Sequence, residues 1–205
     1  MIMLIGRKGE MCQLVDEQGL VQPSTEIRIA ENVVVARRTR SEHGYEALQL
    51  GAEEPSKRQM TKPYAGHFRK AGIEPRGVLR EVRVDRSEDF QVGQKLGVDL
   101  IQPGDRVCVT GTTRGRGFAG GMRRWGWRGG PDSHGSMSHR RIGSVGSGTS
   151  PGRVLRGRTL PGHYGVERVT VKNLRVIRVE PERGCLYVRG AVPGYRGSVV
   201  LVTKG

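Results

Sequence analysis

The sequence predicts a mainly β protein carrying a small α+β lobe and one long, irregular basic extension. Three observations carry that reading. Short apolar runs alternate with polar residues at a period of two, Gly and Pro punctuate them at close intervals, and residues 114–162 follow neither rule.

The strands come first. Residues 33–36 and 47–50 are apolar runs bounded by polar residues or Gly. In residues 78–84, Val82 and Val84 alternate with Glu81 and Arg83, and residues 106–110 alternate through Val107 and Val109. From Arg168 onward, Val169, Val171, Val176 and Val179 sit between polar neighbours, and residues 187–188 and 199–202 close the chain. Breaks such as Pro103-Gly104-Asp105 and Pro193-Gly194 fall between these runs, the pattern of a small antiparallel barrel or sandwich. Strands buried on one face account for the alternation. One helix is predicted: Thr61 caps it, Pro63 lies in its first turn, Tyr64 to Ala71 continue it, and Gly72 stops it. It belongs to a side lobe over about residues 51–90, while residues 1–113 and 163–205 together form the globular part.

Composition limits the function. Hydrophobic residues make up 35%, against about 45–50% in an ordinary globular chain, so part of this chain packs on something other than itself. The formal net charge of +15 calls for a polyanion. No apolar run approaches the ~20 residues of a membrane span, and the opening residues lack a secretory leader pattern. A membrane partner is therefore not expected. Cys12, Cys108 and Cys185 form no CxxC pair and read as three small buried hydrophobes in a reducing compartment.

Residues 114–162 hold ten arginines (Arg114, Arg116, Arg123, Arg124, Arg128, Arg140, Arg141, Arg153, Arg156 and Arg158), no lysine and one acid, Asp132, for a local charge of 10 − 1 = +9. Fourteen glycines and both tryptophans, Trp125 and Trp127, lie in the same stretch. Apolar residues such as Phe118 stand alone, so the segment buries too little to offset about 1–2 kcal/mol of backbone entropy per residue. It is expected to be mobile until a partner orders it. Arginine bridges phosphate oxygens and stacks on bases, glycine lets backbone come close, and Trp or His stacks on unpaired bases. Phe118, His134, His139 and His163 join the tryptophans and arginines as candidate RNA contacts. Strands on both sides make the segment a long loop, and half of its 49 residues at about 3.3 Å each could reach roughly 80 Å at most.

Two motifs mislead. Gly115-Arg116-Gly117-Phe118-Ala119-Gly120 spells a dinucleotide fingerprint, but the residues after it do not read as the required helix and no ribose-binding acid on a second strand follows. Asp132-Ser133-His134 supplies the residue types of a hydrolase triad, yet adjacent residues cannot converge as a triad must. No metal, cofactor or small-molecule substrate is expected. The rival readings are a nucleotide-dependent or RNA-modifying enzyme, which should bind a dinucleotide, and a general nucleic-acid packager, which should bind duplex DNA and folded RNA equally.

Several stretches resemble one family. They are residues 110–120 (Thr-Gly-Thr-Thr-Arg-Gly-Arg-Gly-Phe-Ala-Gly) with Arg124, residues 130–135, 149–154 and 162–165, then 167–171 and 190–194, and Gly66-His67-Phe68 with Lys70-Ala71-Gly72. The chain is similar nearly end to end to the bacterial form of large-subunit ribosomal protein three. That resemblance implies a β-barrel of the translation-protein type and a non-enzymatic role in the cytoplasmic ribosome. It implies binding to large-subunit rRNA and help in starting subunit assembly. Proteins fourteen and nineteen of the subunit would be neighbours. The extension would thread inward, with a tip at about residues 143–152 near the peptidyl transferase centre, including Ser144, Gly146, Ser147, Gly148, Thr149 and Ser150. Departures include Gly9-Glu10, Cys108, and Thr149 where some bacterial members carry a methylated Gln, so that modification is not expected.

Overall fold

The computed structural model describes residues 2–15 and 18–204. Strand β1 (Ile2–Val15) is followed by β2 (Val21–Ile29), β3 (Asn32–Arg38), the short helix α1 (Arg40–His43), β4 (Ala47–Ala52), helix α2 (Lys62–Ala71), β5 (Val78–Arg83) and β6 (Lys95–Leu96). Next come β7 (Arg106–Thr112), β8 (Phe118–Ala119), α3 (Gly121–Trp125), β9 (Gly162–His163), β10 (Arg168–Glu180), β11 (Cys185–Arg189) and β12 (Val199–Lys204). The chain divides into two compact units: residues up to Thr113 with those from Arg168, and Arg114–Glu167.

In the first unit, β1, β12, β7, β10, β11 and β2 form a closed barrel in that order, with every neighbouring pair antiparallel. Closure removes the open strand edges that would otherwise template aggregation. Leu4, Ile27, Val107, Val109, Val176, Leu186, Val188, Val200 and Val202 are buried in the core, each contributing about 1.5–3 kcal/mol on full burial. The alternating valines of β7 and β10 thus mark strands, as the sequence predicts. Two strands exceed that expectation. β1 runs for 14 residues where the sequence shows only an apolar run of five, and β2 has no counterpart in it. Gly6 and Gly9 break β1's apolar pattern, and its pairing with β2 shifts register between Lys8 and Met11.

A second sheet, ordered β5-β4-β3-β6, adds Val34, Leu48, Leu50, Val82 and Leu96 to the same core. Its strands draw on residues 32–96, a wider span than the expected lobe. Asn32 ties it to the barrel: its buried side chain accepts from Ile5 N–H at 2.8 Å and donates to the Ile5 and Ala30 carbonyls at 3.1 and 2.7 Å. Helix α2 starts after extended Thr61, carries Pro63 in its first turn and ends at left-handed Gly72, as read from the sequence, and it buries Phe68 against Tyr64. All three cysteines are free, but only Cys185 is buried; Cys12 and Cys108 are half-exposed, because their strands turn those positions partly outward.

Candidate nucleic-acid interface

The segment inserted between β7 and β10 has more local structure than its composition predicts. β8 pairs with β9, Phe118 opposite His163 and Ala119 opposite Gly162. The ladder continues as Arg116 N–H donates to Tyr164 O and Tyr164 N–H donates to Gly117 O, both at 2.9 Å. Gly165 must be glycine here, since its φ is +82° and a Cβ would lie 2.0 Å from Arg114 O. Helix α3 opens after Gly120, so a helix does follow the third glycine of the dinucleotide-like motif, contrary to the sequence reading. It lasts five residues before left-handed Gly126 ends it. That is too short for a cofactor-binding βα unit, and Phe118 and Ala119 of the motif form a strand.

Three side chains from this turn hold the returning limb. Trp125 Nε1–H donates to Leu160 O at 2.8 Å, Arg124 Nη1 donates to the same oxygen at 3.0 Å, and Trp127 Nε1–H donates to Thr159 Oγ1 at 3.2 Å. Trp127 lies directly on Gly121, where a Cβ would come within 1.9 Å of the indole. Further along, Gly130 N–H donates to His139 O at 2.9 Å, and His139 Nδ1 sits 3.0 Å from Pro131 O and 3.8 Å from Asp132 Oδ1. Asp132, Ser133 and His134 are all exposed.

Despite these bonds the segment has no core. From Arg114 to Glu167 the buried residues are Ala119, Gly121 and Gly165, and every residue from 143 to 158 is exposed. A cleft of about 460 Å³ opens among Trp127, Gly129, Arg141, Ser144, Arg158 and Thr159.

Electrostatics separates the two units. In the first, Arg7 pairs with Glu53, Arg28 with Glu26, Arg38 with Glu81, Arg76 with Glu31 and Arg178 with Glu180. Among the described residues, none of the segment's ten arginines meets a carboxylate within 4.0 Å. Arg114, Arg123, Arg128, Arg140, Arg141, Arg153 and Arg156 are exposed. Arg116 stacks over Tyr164 at 5.0 Å, and Arg124 over Trp125 at 4.9 Å. Arg158 donates to Ser144 O.

The candidate residues therefore divide. Phe118, 80% exposed, and the free arginines face solvent. Arg124 and Trp127 act first inside the segment, and Trp125 does both, with its Nε1 bound and its ring half-exposed. His134, His139 and His163 are exposed. Sequence reasoning missed Tyr164 as the platform under Arg116, and Gly121 as the seat of Trp127. Gly121 follows directly on Gly120, the one hint of a close approach in the sequence. Among the described residues, no three His, Cys, Asp or Glu side chains gather in a way that could hold a metal.

A closed barrel interrupted by a cation-dense, coreless segment is the build of a ribonucleoprotein component. The model of the family described as ribosomal protein L3 matches residues 81–185. The large ribosomal subunit protein uL3 of Thermotoga maritima is 48% identical over 98% of this chain and 96% of its own length. That of Pelotomaculum thermopropionicum is 48% identical over 98% and 95%, and that of Carboxydothermus hydrogenoformans 45% over 98% and 96%. The chain belongs to the ribosomal protein L3 family. It is a structural constituent of the large ribosomal subunit in the cytoplasm, not an enzyme, and its partners are components of that subunit.

Proposed function

We propose that the protein works by division of labour: the barrel and side lobe form a folded body, and residues 114–162 are the rRNA-binding arm. The observation that carries this is that, among the described residues, none of the segment's ten arginines has a carboxylate partner, whereas seven arginines of the body do. Exposed guanidinium groups spaced along a coreless, glycine-rich chain suit a folded phosphate backbone. The cleft adds an indole wall with Arg141 and Arg158 beside it, fittings for a base and its phosphate. Phe118, Trp125, His134, His139 and His163 supply further rings for stacking. The exposed tip, from Ser144 through Gly146, Ser147, Gly148 and Thr149 to Ser150, approaches the peptidyl transferase centre, and binding of the arm helps start subunit assembly. Proteins fourteen and nineteen of the subunit lie against the body.

The test is crosslinking within purified large subunits from a photoreactive side chain at Val145 and at Val154, both exposed. Adducts to rRNA are expected from both, with the Val145 adduct mapping to peptidyl transferase centre nucleotides. Adducts to protein alone would refute the arm assignment, and an rRNA adduct elsewhere would refute the position of the tip.

A further inference from the structure

The hairpin of β1 and β2 outruns the barrel. Pairing of β1 with β12 ends at Arg7 opposite Val199, and pairing of β2 with β11 ends at Ser24 opposite Arg189. Beyond these points the strand ladder joins β1 and β2 to each other, with Gln13 opposite Pro23 and Val15 opposite Val21. Directly opposed residues share a face, so Met11, Gln13, Val15, Val21 and Pro23 lie together, Met11 being opposite Thr25. At the root of that face Thr25 is buried and donates from Oγ1 to Gly190 O. Beyond it the face is open: Met11, Val15 and Val21 are 56%, 67% and 58% exposed, and none of these five residues is charged. An exposed apolar ribbon of this kind marks an interaction site.

Charge says which kind. Residues 9–26 hold four acids, Glu10, Asp16, Glu17 and Glu26, and no Lys, Arg or aromatic residue, for a net −4, although Glu10 and Glu26 already pair within the chain with Arg196 and Arg28. The rest of the chain holds 35 cations and 20 − 4 = 16 acids, for +19. RNA gains from cations and from stacking rings, and this stretch offers neither. A cationic protein gains from the apolar face and from the local excess of negative charge around it.

We propose that this ribbon face docks a basic protein of the same particle, which lays an apolar patch over Met11, Val15 and Val21. The proposal rests on the ribosomal placement above. It assigns to the hairpin a role that the arm does not share.

The experiment uses large subunits purified from cells whose sole copy of this chain carries a benzophenone side chain at Val21, at Gln13 or, for the arm, at Leu155. Val21 and Gln13 are expected to give RNase-resistant adducts with a protein whose Lys and Arg outnumber its acids. With the probe at Gln13, Val21→Arg should cut the adduct at least tenfold, while Val21→Leu keeps it. The proposal is overturned by RNase-sensitive adducts from the hairpin, adducts to a second copy or to an acidic protein, or no adduct at either position. It is equally overturned if Val21→Arg leaves the adduct intact. Leu155 answers separately for the arm: failure to label rRNA there strikes at the arm reading alone.

Discussion

Replacing Gly121 by Ala tests whether the arm is shaped before it meets RNA. The new Cβ would stand 1.9, 2.0 and 2.2 Å from Cε3, Cζ3 and Cδ2 of Trp127, so the indole must leave its seat. Leaving breaks the Nε1–H bond to Thr159 Oγ1, with a net loss of about 0.5–1.5 kcal/mol. It also exposes roughly half of an indole, about 100 Å², or ~2.5 kcal/mol at about 25 cal/mol per Å². Alanine returns up to about 1 kcal/mol of helix propensity in α3. The balance is about 2–3 kcal/mol, a roughly 30- to 150-fold shift of the local equilibrium toward an open turn. Acrylamide quenching of Trp127 in a Trp125→Phe background reads the opening, and rRNA affinity should weaken by no more than the same factor. The barrel's melting temperature should not move. Unchanged quenching together with unchanged affinity would show that the pinned turn is not formed in solution, refuting the reasoning.

Other outcomes follow from the same physics. Asn32→Ala strips the buried Ile5 N–H and the Ile5 and Ala30 carbonyls of their partner and should destabilise the body by about 2–4 kcal/mol in urea unfolding; a loss below about 1 kcal/mol would mean water replaces it. The carboxyls of Glu26, Glu31 and Asp105 are held below their usual range, chiefly by hydrogen bonds from Arg28, Lys95 and Lys204. Folded values below unfolded ones stabilise fully above about pH 4–4.5 and lose that contribution as pH falls further. The melting temperature should thus hold from pH 7 to 5 and drop beneath pH 4, less steeply for Asp105→Asn; a decline that begins at neutral pH would contradict this. Gly165→Ala places a Cβ against Arg114 O at a positive φ, so hydrogen exchange at the Arg116 and Tyr164 amides should rise at least tenfold, and unchanged protection would deny the close approach.

The sequence reveals the fold where one physical rule dominates. In β7 the solvent-facing and core-facing positions alternate from Arg106 to Val109, and its valines show it; in β10 the alternation breaks at two register shifts, so Val169 is exposed, Val171 half-buried and Val176 buried. α2 carries its own start and stop signals in Pro63 and Gly72. β1 hides because its glycines meet neighbours that a side chain would strike: a Cβ at Gly6 would lie 2.8 Å from Arg28 O, and one at Gly9 2.3 Å from Glu26 Oε2. Those contacts exist only after the hairpin closes. β2 had a readable signal, Thr25, Ile27 and Ile29 at alternate positions, all buried. For the site, arginine density was visible and partner geometry was not. Arg123 and Arg124 are adjacent and chemically identical, yet one is free and the other donates to Leu160 O. Trp125 and Trp127 likewise look like stacking rings in the sequence, while both indoles spend their N–H groups on the opposite limb.

The arm's binding to rRNA turns on the free arginines meeting phosphates. The direct measurement is the salt dependence of binding to a large-subunit rRNA fragment, comparing the native chain with one in which Arg123, Arg128, Arg140 and Arg141 are replaced by Ala. All four side chains are exposed, and Arg124 is left in place because it holds the turn together. With about 0.7–0.9 log units of affinity per log unit of salt for each phosphate contacted, the variant's slope should be shallower by about 3. Parallel lines for the two proteins would contradict the account.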